Sequence, residues 1–183
     1  MPLRPSDLPK MRSRTRKGDV AEAAFLAKAM QLGFNVCKPF GTACRFDFVV
    51  EAGGRLSRVQ VKSCWRPRTR HHPYYVGLAV AQPQGRPRTY QRDEMDFLAA
   101  YIAPEDVWYV IPAREIAGRR SISVHPHRPQ VSNEFEEYRD AWHLLVGRHG
   151  IRIDLKAMAE DALGDPYALT AQITMPASHA PVL

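Results

Sequence analysis

The chain has 183 residues, 45% of them hydrophobic, and a formal net charge of +7. That length suits one domain with a real core. No apolar run approaches the ~20 residues of a membrane span and the N-terminus lacks a signal-peptide stretch, so a cytoplasmic location is expected. Cys37, Cys44 and Cys64 are odd in number and lack CxxC spacing, which argues against a disulfide framework and against a thiolate zinc site.

The charge is unevenly spread. Residues 1–17 carry six Lys/Arg against one acid, residues 55–92 carry nine against none, and residues 93–183 carry eight against fourteen. A basic first half followed by an acidic second half points to a polyanion bound by the former.

In chain order, residues 1–16 hold two early prolines and an Arg-rich end without hydrophobic periodicity, which predicts a flexible basic arm. Arg14 and Arg16 at its end, with Lys17 just beyond, are candidate contacts to a nucleic-acid backbone. Residues 17–32 are Ala-rich and predict a helix ended by Gly33, with Asp19 near its positive pole. Phe25, Leu26, Ala29 and Leu32 define its expected buried arc, and Glu22 falls inside that arc. A buried carboxylate is costly without a cation or hydrogen-bond donor, so Glu22 requires a partner.

A short first strand, "FNVC", precedes a hairpin over residues 45–65. Gly53-Gly54 between two alternating runs signals a two-residue turn, because both central positions need positive φ. The register follows: Ala52 faces Arg55, Glu51 faces Leu56, Val49 faces Arg58 and Asp47 faces Gln60. Phe46, Phe48, Val50, Val59 and Val61 share the core face, whereas Asp47, Gln60 and Lys62 share the other. Directly opposed residues have Cβ atoms about 5 Å apart, so Asp47 and Gln60 are within reach of a common ligand.

Arg66, Arg68 and Arg70 alternate beside Trp65 and the pair His71-His72, and an apolar stretch "VGLAVAQ" follows. Arg86 and Arg88 lie in a further basic loop. "LAAYIA", "VWYVIP" and the end of "REIAGRRSISV" predict strands. Phe135, Tyr138, Ala141, Trp142 and Leu145 recur at helical spacing and predict an amphipathic helix over 133–146. A short helix and a frayed tail are expected over 148–183.

Folding the first helix onto the hairpin would bring Glu22 to Asp47, Gln60 and Lys62. Two carboxylates and an amide oxygen are hard donors that suit Mg²⁺. Lys17-Gly18 with Glu22, Phe46-Asp47 with Gln60-Val61-Lys62, then Tyr90, Asp96-Phe97, Tyr101, residues 108–112 and residues 138–142 together resemble the PD-(D/E)xK nuclease superfamily. The likeness is strongest to its branch related to group I intron homing endonucleases. Phe46 stands where the family name has Pro, and Gln60 replaces the second acid, a substitution also found in similar homing enzymes.

The resemblance implies an α/β fold with a restriction-endonuclease-like core, a central mixed sheet of four or five strands flanked by helices, over residues 17–147. It implies an endonuclease, homing or resolvase-like, that hydrolyses DNA phosphodiesters with Mg²⁺, or with Mn²⁺ in its place. Asp47, the Gln60 side-chain oxygen and the Val61 carbonyl would hold the metal, with Glu22 joining, and Lys62 would position the attacking water. Arg14, Arg16, Lys17, Arg66, Arg68, Arg70, Arg86 and Arg88 would meet the backbone of duplex or branched DNA, and a palindromic target would favour a homodimer. The alternative is a nucleic-acid-binding module that keeps the scaffold but has lost hydrolysis.

Overall fold

The computed structural model describes residues 13–41, 43–66, 72–79, 87–128 and 134–146. Helix α1 runs Arg14–Gln31, three residues earlier than predicted. The reason is Ser13, whose side chain accepts from the Arg16 amide at 3.3 Å and caps the first turn. Arg14 and Arg16 therefore belong to the helix and not to an arm. Gly33, at φ +76°, ends the helix as expected.

Five strands form one mixed sheet in the order β1-β2-β3-β5-β6, comprising Asn35–Cys37, Phe48–Ala52, Arg55–Cys64, Phe97–Ile102 and Val107–Pro112. β3 and β5 pair in parallel, and every other pairing is antiparallel. Strand β4 (Tyr74–Gly77) pairs with β7 (Ser121–Val124) in a separate two-stranded sheet, and the short helix α2 (Ala113–Ile116) follows β6. The α/β class and the mixed sheet match the sequence reading.

The β2–β3 hairpin has the register set by its two glycines, from Ala52↔Arg55 to Phe48↔Val59. Gly53 and Gly54 sit at φ +58° and +74°, the left-handed conformations this turn demands. The ladder stops one rung short of the site. The Asp47 amide donates to the Val59 carbonyl at 2.9 Å, and Val59 already faces Phe48, so the chain steps out of register at Asp47 as at a bulge.

Helix α1 packs through Ala21, Phe25 and Ala29, all buried, while Leu26 is exposed. The buried arc is thus centred on Phe25 and turned away from Leu26. Phe25 stacks on Phe48 at 5.2 Å between centroids and touches Trp108 and Trp142, so this aromatic cluster fixes the rotation of the helix over β2 and β6. Full burial of one such ring is worth about 1.5–3 kcal/mol. The other side of the sheet carries the larger apolar cluster, including Tyr74, Leu78, Met95, Leu98, Tyr109, Ile116 and Ile122.

The helix predicted over 133–146 is not formed. Residues Glu136–Tyr138 and Trp142–Leu145 are single 3-10 turns instead. Between them Arg139 bridges to Tyr109 and the Asp140 amide donates to the Trp108 carbonyl at 2.8 Å. Asp140 adopts φ +46°, which no helix accepts. The segment gives up its helix to cover the edge of β6, an edge that would otherwise expose unpaired backbone. Phe135, Ala141, Trp142 and Leu145 are still buried, so the apolar pattern marked the right residues in the wrong element.

Candidate active site

Asp47 enters the site from the residue just before β2, and Gln60, Val61 and Lys62 from the middle of β3. Asp47 Oδ2 accepts from the Val61 amide at 2.7 Å and from Gln60 Nε2 at 2.5 Å. The same Nε2 donates to the Val61 carbonyl at 3.1 Å. A carboxylate and a carbonyl can only accept, so the Gln60 nitrogen must face both of them. The amide hydrogens thereby lie between the two oxygens predicted to hold a cation, and the Gln60 oxygen must turn inward before it can join them.

Burial pushes the Asp47 carboxyl above its ordinary value. The Val61 amide opposes this, the charge of Glu22 adds to it, and Lys62 and Lys38 oppose it. The charges of Glu22, Lys62 and Lys38 thus all act on Asp47. The Lys62 ammonium lies over the ring of buried Tyr90, 5.7 Å from its centroid.

Glu22 has the partner its half-buried position requires, and it is Lys38. The ammonium lies 2.7 Å from Glu22 Oε2. Its pKa is raised, chiefly by that hydrogen bond, with Asp47 and Asp19 adding to it. Sequence reasoning missed Lys38, because the pairing depends on how α1 packs over β1 and not on any local spacing. Tyr90 was noticed only as part of a family pattern, and nothing in its neighbours signalled a ring beneath Lys62.

Other predicted contacts divide. Arg14, Arg16 and Arg66 are exposed and Lys17 is half-buried. Arg88 is committed elsewhere: its guanidinium pairs with Glu94 through both nitrogens and also donates to the Thr89 carbonyl. Arg68, Arg70 and Arg86 lie outside the described residues. Trp65 donates to Ser63 at 2.9 Å and meets Tyr101 edge-on, which places it at the core edge. His127 pairs with Glu105 at 2.8 Å.

Among the described residues no three His, Cys, Asp or Glu side chains converge on one point. A cation here would therefore rest on two carboxylates, the Gln60 amide oxygen and the Val61 carbonyl. All four are hard oxygen donors of the kind Mg²⁺ accepts. The raised Asp47 carboxyl, beside a second acid, also fits a site short of positive charge.

No curated protein matches the chain. Among solved structures it is similar to the bacterial homing endonuclease I-Ssp6803I, with 30% identity and a TM-score of 0.65 over 73% of this chain and 93% of that one. The family model described as PD-(D/E)XK endonuclease matches residues 12–145, a span that holds the whole hairpin, Glu22 and every strand among the described residues. The chain belongs to the PD-(D/E)XK endonuclease family.

Proposed function

We propose that this protein is a divalent-metal-dependent endodeoxyribonuclease, with Mg²⁺ as the natural ion and Mn²⁺ as a substitute. The observation that carries this reading is the meeting of Asp47, Gln60 and the Val61 backbone at one point, within electrostatic reach of Glu22 and Lys62. Asp47, Gln60, Val61 and Glu22 would hold the cation, which when bound supplies positive charge to the phosphate as the transition state builds.

The side chains of the chain have the remaining tasks. Asp47 is fixed by the Val61 amide, so its second oxygen has a defined direction. Gln60 turns its oxygen towards the cation, releasing the Val61 carbonyl. Lys38 leaves Glu22 readily, because its side chain is 66% exposed and such pairs are worth at most about 1 kcal/mol. Lys62, resting on Tyr90, donates hydrogen bonds to the attacking water and holds it beside the phosphorus.

Arg14, Arg16, Lys17 and Arg66, with Arg68, Arg70 and Arg86, would follow the DNA backbone. Such contacts position the protein without reading sequence. A homodimer on a palindromic duplex, or action on branched DNA, extends the same reading.

Incubating the purified protein with supercoiled plasmid, with Mg²⁺ or with EDTA, tests it. Nicked or linear product with Mg²⁺ alone is expected. If no duplex, junction or single strand is cut with Mg²⁺ or Mn²⁺, the scaffold serves as a binding module.

A further inference from the structure

We propose that Phe40, in the loop leaving β1, is a DNA-contacting residue that stacks on a nucleobase beside the cleavage site; this rests on the endonuclease reading above. Phe40 has a relative exposure of 105%, the highest of the exposed large apolar side chains among the described residues. The other six phenylalanines stand in the core or against it: Phe25, Phe34, Phe48, Phe97 and Phe135 are buried, and Phe46 packs against the core. No described ring stacks on Phe40, whereas Phe25 and Phe48 stack on each other. A solitary exposed apolar side chain is common and by itself means little.

What distinguishes Phe40 is the frame that presents it. Pro39 fixes the backbone on one side, and Gly41 turns it at φ +83° on the other. Lys38, at the root of the loop, lies 2.7 Å from Glu22. Two residues of chain span at most about 7 Å, so the Phe40 backbone lies within that distance of the Lys38 backbone. The far end of the loop returns to the same place at Asp47, through exposed Arg45.

The partner follows from this surrounding chemistry. Lys38 and Arg45 flank Phe40 in the chain and are 66% and 49% exposed; each meets one acid, Glu22 and Glu94, and still presents positive charge to a polyanion on the solvent side. The part of a nucleic acid that gains from an apolar ring is the face of a base. Stacking on an aromatic side chain tolerates any base, since every base has a π-face. In a duplex, an inserted Phe unstacks a step and kinks the helix.

The test uses the full chain and a duplex that it binds, in EDTA so that cleavage does not intervene. Phe40→Ala should weaken binding about tenfold. The slope of affinity against salt should stay the same, because no phosphate contact is lost. Folding should be unaffected, with an unchanged melting temperature. Phe40→Trp should keep the affinity.

A duplex carrying 2-aminopurine at successive positions should brighten at one step with wild type and with Phe40→Trp, but not with Phe40→Ala. Affinity of Phe40→Ala within twofold of wild type overturns the proposal. So does a lowered salt slope, which assigns the loop to phosphates, or a changed oligomeric state with unchanged DNA affinity, which assigns it to a second copy of the chain. Absence of DNA binding by wild type, with any duplex, would instead remove the endonuclease reading on which the proposal rests.

Discussion

Two aspartates flank β3 in nearly the same way and behave oppositely. Asp47 precedes β2 and accepts from the Val61 amide; Asp96 precedes β5 and accepts from the Arg58 amide, each at 2.7 Å. Burial works to raise both carboxyls. At Asp96 burial is the largest single influence, but the Arg58 guanidinium, bonded at 3.1 and 3.0 Å, the Arg58 amide and the charge of Arg55 together outweigh it and hold the carboxyl below its usual value. At Asp47 the side-chain donor is the neutral amide of Gln60, and the carboxyl stays above it. An acid locked to an arginine is a fastening between strands, whereas a buried acid whose side-chain donor is neutral has no such fastening.

The largest expected difference between the two aspartates is in cleavage. Asp47→Ala should reduce metal-dependent cutting by about 10³-fold, in the range found when a group stabilising the transition state is removed. Lys62→Ala should do the same with little change in folding or DNA affinity. Full activity in Lys62→Ala would leave hydrolysis standing and move the water-positioning role to Lys38.

Stability should separate the aspartates by sign. Asp96 contributes stability that is present above its unfolded value of 3.8 and lost as pH falls through its lowered folded value. Asp96→Asn should therefore cost about 1–2 kcal/mol at neutral pH, after allowance for solvent screening of the half-exposed pair. For a chain of this size that is a fall of a few degrees in Tm. Asp47 runs the other way: its contribution is present below 3.8 and lost as pH rises through its raised folded value. Without metal at neutral pH, Asp47→Asn should raise Tm, because the buried charge is removed. Equal shifts in the two variants would erase the distinction.

The smallest effect belongs to Glu94, another fastened acid, held down to about 2 by Arg88, with the Gln91 amide and Arg45 assisting. Its contribution is present above 4.5 and lost as pH falls towards 2. Acid melts of Glu94→Gln should thus converge on wild type in that window and fall below it at neutral pH.

Much of this site was legible because it depends on local rules. A two-residue Gly-Gly turn fixes the register as far as Phe48 and Val59, and Asp47 then reaches Gln60 and the Val61 amide through its side chain. The step out of the ladder at Asp47 was not legible, since alternation continues through it in the sequence. The fastening of Asp96 to Arg58 requires β3 and β5 to lie in parallel, a long-range pairing that no spacing encodes. The same holds for Lys38 on Glu22, and for the segment at 133–146, where covering the edge of β6 overrode a helical pattern. Arg88 read as a free cation because its acid, Glu94, lies in the next turn and looks like ordinary loop charge.

The most direct measurement of the central claim is titration calorimetry of Mn²⁺ into the DNA-free protein, comparing wild type with Asp47→Asn and Gln60→Glu. The account predicts binding by wild type, its loss in Asp47→Asn, and tightening of about tenfold in Gln60→Glu, where a carboxylate replaces the amide between Asp47 and the Val61 carbonyl. Equal affinity in all three proteins would contradict it.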